Sequence, residues 1–147
     1  MLIRSPMPIL LFVALTLAAC RSESGRSDAE ATDRSAEASI PYTDIDPAQL
    51  DEMMRSKDFL LVNVHIPYEG EIPGTDLHIR YDEIDQGLDQ LGELDAKIVL
   101  YCRSGRMSTT ATNRLAELGY TNLYHLAGGM RAWTAAGYQL EQGEGGS

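Results

Sequence analysis

The chain has 147 residues, of which 44% are hydrophobic, and its 22 acidic and 12 basic side chains give a formal net charge of -10. This length suits one compact domain with additional segments, and the acidic balance excludes a nucleic-acid binder because phosphate neutralisation needs clustered Lys and Arg. The 2 cysteines are too few for a densely disulfide-linked scaffold or a four-cysteine zinc site.

The first 20 residues have the pattern of an export signal. One arginine is followed by an apolar run over residues 9–19, which is too short to cross a hydrocarbon core of about 30 Å as a helix. The Leu-Ala-Ala-Cys sequence at 17–20 resembles the lipobox of bacterial lipoproteins. The resemblance implies a signal peptide over residues 1–19 and a lipidated Cys20 at the mature N-terminus. The alternative is an ordinary secretory peptide with a cysteine near its cleavage point.

Residues 21–39 contain no aromatic residue and no Leu, Ile, Val or Met. Such a segment buries too little apolar surface to offset its ordering entropy, so residues 20–39 are predicted to be a lipidated cysteine and a flexible tether. This places the protein in a bacterial cell envelope, anchored to a membrane by lipid, with its domain facing the periplasm or the extracellular side. Arg21 favours the outer membrane by resemblance to Gram-negative sorting rules.

A folded domain is predicted over residues 40–141, with a flexible tail over 142–147. Asp46-Pro47 is typical of a helix start, because a capping residue precedes a proline at the first helical position. The predicted elements, in chain order, are a helix over 46–54, strands over 60–64 and 77–79, short helical turns over 81–94, a strand over 97–101, a helix over 108–118, a strand over 122–126 and a helix over 130–136.

The two central strand runs, over residues 60–64 and 97–101, are almost continuously apolar. Continuous apolar strands separated by helices are typical of parallel sheets covered on both faces. The sequence therefore predicts an α/β fold, a three-layer α/β/α sandwich with a central, mostly parallel sheet.

Cys102 directly follows one of these strands, and a polar loop leads from it into the next helix. Ligands bind at this end of the strands in open α/β sheets. Loop N–H groups can form an anion-binding nest, and a helix N-terminus adds about half a positive charge. Together with Arg103 and Arg106, these features are predicted to lower the pKa of the Cys102 thiol and make it a nucleophile. The alternative is a buried, inert cysteine beside two solvent-facing arginines.

Four segments together resemble the rhodanese family of sulfurtransferases. They are Cys-Arg-Ser-Gly-Arg-Met-Ser at 102–108, similar to the family's active-site loop, Leu-Leu-Val-Asn-Val at 60–64, Ile-Pro-Gly at 72–74 and Leu-Ala-Gly-Gly-Met-Arg-Ala-Trp at 126–133. The resemblance implies one rhodanese-like domain over residues 40–141. In that family a catalytic cysteine, here Cys102, accepts a sulfane sulfur and passes it to a thiophilic acceptor through a persulfide.

The implied substrate-binding residues follow Cys102 on the loop: Arg103, Ser104, Gly105, Arg106, Met107 and Ser108. Their backbone N–H groups are predicted to hold the terminal sulfur of the anionic persulfide through oriented dipoles. The implied partners are a small anionic sulfur donor, such as thiosulfate, a persulfide or a polysulfide, and a thiol or cyanide-like acceptor. No metal or organic cofactor is required, and the protein is predicted to be monomeric.

The chain departs from the family pattern near the predicted mouth of the pocket. Asn-Val-His at 63–65 stands where the family commonly has Asp-x-Arg, and Glu71 precedes Ile-Pro-Gly where His is common. His65 is interpreted as a hydrogen-bonded strand-end residue, with a proton donor in the pocket as the alternative. Met107 occupies a loop position that is basic in many thiosulfate-using members, so thiosulfate stays one candidate donor among several.

Two other functions compete with sulfur transfer. A phosphatase of the same superfamily needs an arginine six positions after the cysteine, where this chain has Ser108, and a hydroxyl cannot clamp a phosphate bidentately. A non-catalytic binding or sulfur-sensing module stays open as an alternative, because fold alone does not determine function. Gly128-Gly129, Met130 and Trp133 are interpreted as a turn and a core-packing helix rather than as ligand contacts.

Overall fold

The computed structural model describes residues 41–143. The predicted signal peptide over residues 1–19, the predicted lipidation site Cys20 and the predicted tether lie outside the described residues, as do residues 144–147 of the predicted tail. Within the part that is described, no helix is both long enough and apolar enough to span a membrane.

The described residues form five strands, four α-helices and one 3₁₀ helix. In chain order these are β1 (Thr43–Ile45), α1 (Pro47–Met54), β2 (Leu60–Asn63), β3 (Leu77–His78), the 3₁₀ helix (Tyr81–Gln86), α2 (Leu88–Leu91), β4 (Ile98–Tyr101), α3 (Arg106–Glu117), β5 (Leu123–Leu126) and α4 (Gly129–Ala135). The order and type of the predicted elements are confirmed, and β1 is an addition that the sequence pattern did not indicate.

β1 lies at one edge of the sheet, where it pairs in parallel with β5. Only Ile45 of its three side chains is buried, so the strand has no apolar run that would have signalled it. Its register places Asp44 directly opposite His125.

α1 begins at the predicted capping position. The Asp46 carboxylate accepts a hydrogen bond from Gln49 N at 2.8 Å, and the Gln49 side chain accepts one from Asp46 N at 2.8 Å. Pro47 occupies the first helical position. This reciprocal pair satisfies two N–H groups that the helix leaves without partners and fixes where α1 starts.

All five strands run parallel in one sheet of order β1-β5-β4-β2-β3. Side chains alternate between the two faces: Val99 of β4 packs with Leu50 of α1 and Trp133 of α4, whereas Leu100 packs with Leu115 of α3 on the opposite face. Because helices cover both faces, every β4 side chain is buried. The predicted three-layer α/β/α sandwich is confirmed, and its sheet is entirely parallel.

Parallel strands end at the same edge of a sheet, so β2, β4 and β5 direct the residues that follow them toward one region. Tyr101, the last residue of β4, is held there by its hydroxyl. This hydroxyl accepts a hydrogen bond from Ile72 N at 3.0 Å and lies 2.7 Å from Thr75 Oγ1. Burial raises the pKa of Tyr101 above its ordinary range. The neutral, anchored Tyr101 fixes the end of β4 immediately before Cys102.

Candidate active site

Cys102 lies at the carboxyl end of β4, on the face of the sheet that α3 covers, and only 1% of it is exposed. Its thiol is not part of a disulfide. Beside it is a cavity of about 540 Å³. The cavity is lined by His65, Tyr81, Cys102, Arg103, Ser104, Arg106, Met107, Thr110 and Arg131.

The loop after Cys102 turns at Gly105. This glycine has a φ of +98°, in the left-handed region that glycine adopts without a steric penalty. The turn brings Gly105 N to 3.1 Å from Cys102 Sγ, where it donates a hydrogen bond. Gly105 O accepts the first bond of α3, from Thr109 N at 2.9 Å. The loop therefore closes around the sulfur within three residues.

α3 begins at Arg106, two residues before the predicted start at Ser108. The predicted start was based on the spacing of apolar residues. The first turn of α3 is polar, so that spacing did not reveal it. Arg106, Met107 and Ser108 therefore lie in the first turn of a helix that has no side-chain cap. The N–H groups of a first turn have no acceptor within the helix, and the positive end of the helix dipole lies beside Cys102.

Hydrogen bonds decide the ionisation of Cys102. Burial by itself raises the pKa of the thiol, because it penalises the anion, but the Ser108 hydroxyl and the N–H groups of Ser108, Ser104 and Gly105 more than offset it. Ser108 Oγ donates to Sγ from 3.4 Å. The net result is a pKa of Cys102 below its ordinary value. The predicted direction and the predicted contribution of the loop N–H groups are confirmed, whereas the charges of Arg103 and Arg106 are not among the main causes.

Three arginines line the cavity, and they differ in their partners. Arg103 Nη1 lies 3.2 Å from Glu69 Oε1, and both side chains are more than a third exposed. Solvent screens such a pair. Among residues 41–143, no carboxylate is within ion-pair distance of Arg106 or Arg131. These two guanidinium groups are the positive charges available to an anion in the cavity.

Arg131 was missed by the sequence analysis, and the packing of α4 explains its position. Met130 N donates to Cys102 O at 2.9 Å, and Arg131 N donates to Arg103 O at 3.0 Å. The first turn of α4 is thus bonded to the loop that carries the nucleophile. The Gly-Gly pair before these residues was the available signal, because it permits a close approach of two backbones.

Gly129 makes this approach possible. A Cβ atom on Gly129 would lie 2.1 Å from Cys102 O and 2.9 Å from Cys102 C, and its φ is +57°. No side chain fits at that position. The interpretation of Gly129 as a turn residue was incomplete, whereas Met130 and Trp133 are buried core residues as predicted.

His65 lies at the cavity and is 5% exposed. Its Nε2 lies 3.2 Å from Glu69 Oε2, but without the alignment of a hydrogen bond, and neither ring nitrogen has a hydrogen-bond partner in the described part of the chain. Its backbone N–H donates to Asn63 Oδ1 at 3.0 Å. The interpretation of the His65 ring as a hydrogen-bonded core group is therefore wrong.

The structure brings the predicted site residues together in two sets. Gly105 and Ser108 contact the Cys102 sulfur by hydrogen bonds. The remaining predicted residues line the cavity beside it, and they are Arg103, Ser104, Arg106 and Met107. Within residues 41–143, no cluster of His, Cys, Asp and Glu is suited to a metal ion.

A second cavity, of about 490 Å³, lies along β3 and the 3₁₀ helix. Its lining includes Tyr68, His78 and Arg80 but no cysteine. Of these two cavities, the one beside Cys102 holds the cysteine.

A parallel α/β/α sandwich with an activated cysteine between a central strand and a helix N-terminus defines a class of cysteine-dependent, anion-binding domains. Residues 46–136 match the family described as Rhodanese-like domain. The chain belongs to the rhodanese-like domain family, and this match covers most of the described fold.

Curated relatives include two proteins that the match covers almost completely. The chain is 33% identical over 106 residues to the sulfurtransferase of Allochromatium vinosum, covering 69% of this chain and 97% of that protein. It is 26% identical over 104 residues to the thiosulfate sulfurtransferase GlpE of Glaesserella parasuis, covering 69% and 95%. It is also 30% identical over 112 residues to the tRNA uridine(34) hydroxylase of Acinetobacter baylyi, where the match covers 68% of this chain and 35% of that protein.

Solved structures show the same fold. A rhodanese-related protein from Thermoplasma volcanium is 28% identical with a TM-score of 0.58, covering 67% of this chain and 97% of that one. A thiosulfate sulfurtransferase from Pseudomonas aeruginosa is 27% identical with a TM-score of 0.60, covering 71% and 20%. The chain is thus a rhodanese-type domain with sulfurtransferases among its relatives.

Proposed function

We propose that the protein is a sulfurtransferase that moves a sulfane sulfur from a small anionic donor to a thiophilic acceptor through a persulfide on Cys102. The donor is thiosulfate, a persulfide or a polysulfide. The observation that carries the proposal is the position of Cys102 Sγ, which accepts hydrogen bonds from Gly105 N at 3.1 Å and Ser108 Oγ at 3.4 Å. The sulfurtransferases among the relatives support the same reaction.

With thiosulfate, the Cys102 thiolate attacks the outer sulfur of the donor. A new S–S bond forms, the bond to the sulfonate sulfur breaks, and sulfite leaves with the electron pair. A thiol or cyanide-like acceptor then attacks the terminal sulfur of the persulfide, and the Cys102 thiolate is the leaving group. Because the thiolate is the nucleophile in one half-reaction and the leaving group in the other, its stabilisation by hydrogen bonds serves both.

The charge distribution favours a small anionic donor. The chain carries a formal net charge of -10, yet Arg106 and Arg131 place two positive charges at the cavity beside Cys102. Clefts lined by one sign of charge concentrate ligands of the opposite sign. The cavity volume of about 540 Å³ is within the range of small-molecule sites.

A comparison of donors tests this function. We expect thiosulfate, glutathione persulfide or a polysulfide to add one sulfur atom to Cys102 of the full chain, and mercaptopyruvate in the same assay ranks a carboxylate-bearing donor against them. Intact mass and the mass of the Cys102 peptide measure the gain. A chain that gains no sulfur from any of these donors would instead be a non-catalytic binding or sensing module.

Substitution of Arg131 tests whether its positive charge binds the donor. We expect Arg131→Gln to raise the KM for thiosulfate about ten-fold or more, because a hydrogen bond to a charged group contributes about 1.5–3 kcal/mol. Arg80→Gln is the matched control, because Arg80 pairs with Asp82 and Glu83 away from this cavity. Equal effects of the two substitutions would show that Arg131 does not bind the donor.

We also propose that a lipid on Cys20 holds the domain at a membrane of the bacterial cell envelope, facing the periplasm or the extracellular side. The lipobox-like sequence at 17–20 and the apolar run before it support this location. Cys20→Ser is expected to move most of the protein from the membrane to the soluble fraction on fractionation. Cys102→Ser, which changes the other cysteine, should stay at the membrane. Persistent membrane association of Cys20→Ser would contradict the anchor.

A further inference from the structure

A buried line of polar groups extends from Cys102 away from the cavity, toward the edge of the sheet. Ser108 Oγ lies 3.4 Å from Cys102 Sγ and 3.0 Å from His125 Nε2. His125 Nδ1 lies 2.7 Å from Asp44 Oδ1. Ser108 and His125 are 0% and 6% exposed, so solvent does not compete for the contact between them, whereas Asp44 at the far end is half-exposed.

We propose that His125 and Asp44 are positioning residues for the nucleophile. Asp44 holds the His125 ring through Nδ1, and Nε2 of that ring holds the Ser108 hydroxyl beside the Cys102 sulfur. The inference deepens the proposed function, because it concerns the same thiol and supplies a group that controls its ionisation.

The sheet determines this arrangement. Asp44 of β1 and Leu100 of β4 both pair with His125 of β5 in the strand ladders. Residues paired in this way present their side chains to the same face, and α3 covers that face with Ser108. Three parts of the chain, β1, β5 and the segment from Cys102 to the first turn of α3, therefore supply one continuous set of contacts.

The position of the His125 ring follows from the partners of its two nitrogens. Nδ1 lies 2.7 Å from Asp44 Oδ1, and Nε2 lies 3.0 Å from Ser108 Oγ and 3.2 Å from Gly105 O. The ring is therefore held between β1 and the first turn of α3.

The direction of the Ser108 hydroxyl follows in turn. A hydroxyl has one hydrogen to donate. Gly105 O lies 3.0 Å from Ser108 Oγ, but it already accepts from Thr109 N and Thr109 Oγ1, each at 2.9 Å. Cys102 Sγ is the other acceptor, and Ser108 Oγ donates to it from 3.4 Å. A ring that holds Ser108 Oγ in place therefore supports this bond to the thiolate.

Among residues 41–143, few polar or aromatic side chains face His125. Asp44 approaches from β1, Ser108 and Thr109 approach from α3, and the Tyr42 ring packs edge-on at a centroid distance of 5.6 Å. Asp44 holds the ring on one side, and Ser108 connects the ring to the Cys102 sulfur on the other. A change at Asp44 or His125 is therefore expected to reach the thiolate through Ser108, and this is the coupling that the experiment tests.

Alkylation of Cys102 by iodoacetamide tests the coupling. In this reaction the thiolate displaces iodide, so the pH profile of the rate reports the thiolate fraction. Trypsin releases Cys102 on residues 98–103, which separates it from Cys20 in the full chain. At pH values below the midpoint of this profile, Ser108→Ala is expected to lower the thiolate fraction about ten-fold. His125→Gln and Asp44→Asn are expected to lower it about three-fold each.

A double substitution separates positioning from a purely structural role. In the Ser108→Ala background, His125→Gln is expected to change the profile no further, because its effect passes through the missing hydroxyl. Tyr42→Phe is the matched control, since it keeps a ring against His125 and should leave the profile in place. Asp44 is half-exposed, so Asp44→Asn tests the pair without disturbing the core.

Either of two results would overturn the inference: profiles of His125→Gln and Asp44→Asn identical to that of the unsubstituted chain, or an undiminished effect of His125→Gln in the Ser108→Ala background. The assay uses no sulfur donor. If the variants shift the alkylation profile as expected but the chain gains no sulfur, only the proposed sulfur transfer is contradicted. If the chain gains sulfur but the variants leave the profile unchanged, only the positioning role of His125 and Asp44 is contradicted.

Discussion

Cys102→Ser is expected to abolish sulfur loading and to reduce sulfur transfer by at least about three orders of magnitude, the scale seen when an enzyme loses an essential nucleophile. A serine hydroxyl at this position would accept the same hydrogen bonds from Gly105 and Ser108, but it ionises far above the working pH and forms no persulfide. Intact mass after incubation with the best donor, together with the rate of transfer to cyanide, measures the effect.

The second cysteine supplies the control for this experiment. Cys20→Ser should still gain one sulfur atom, because Cys20 lies outside residues 46–136, which match the family. The substitution at position 102 replaces a buried sulfur with a slightly smaller oxygen, so thermal unfolding should change little. A gain of sulfur by Cys102→Ser equal to that of the unsubstituted chain would place the carrier elsewhere.

Gly129→Ala is expected to destabilise the fold by about 3 kcal/mol or more, near the upper end of what overpacking costs. The added methyl group would lie 2.1 Å from Cys102 O, and backbone atoms of Cys102 and Arg103 surround it. Backbone cannot move aside as a flexible side chain can, so α4 must separate from the loop. Chemical denaturation measures the free energy of unfolding.

Gly137→Ala is the matched control. Gly137 also has a positive φ, +94°, but nothing lies within 4 Å of the position that its Cβ would occupy. The Gly137→Ala variant should be destabilised only by the strain of a non-glycine residue in the left-handed region, about 1–2 kcal/mol. Equal losses in the two variants would show that the close approach of Gly129 to Cys102 contributes nothing to stability.

The same contact links stability to chemistry. Met130 N and Arg131 N are bonded to the carbonyl groups of Cys102 and Arg103, so any separation of α4 from the loop moves the nucleophile. In the folded fraction of Gly129→Ala we therefore expect the pKa of the Cys102 thiol to rise, because the hydrogen bonds that lower it depend on the loop conformation. Alkylation of that fraction across pH measures the shift.

Local sequence features predicted most of the fold. The apolar run ending at Tyr101 identified a central strand, because only a strand covered on both faces tolerates four consecutive buried side chains. Asp46-Pro47 identified the start of α1 through its capping chemistry. β1 escaped prediction because an edge strand with one buried side chain of three carries neither an apolar run nor a clear alternation.

The chemistry of the site was predictable where neighbours in sequence create it. Cys102, the turn at Gly105 and the first turn of α3 lie within seven consecutive residues, so their placement after a strand indicated an activated cysteine. Arg131 and His65 reach the same cavity from other elements, and their roles depend on packing that no local pattern reports.

Periodicity and turn chemistry act over short distances along the chain, so local patterns were enough to predict an α/β domain and a cysteine loop at the carboxyl end of a strand. The groups that control that cysteine became apparent from the packing of the folded domain. Asp44 and His125 are 81 positions apart, yet their side chains form a hydrogen bond. Such a pair exists because strand order and register bring β1, β5 and α3 together, and the pairing of distant strands is a property of the whole fold.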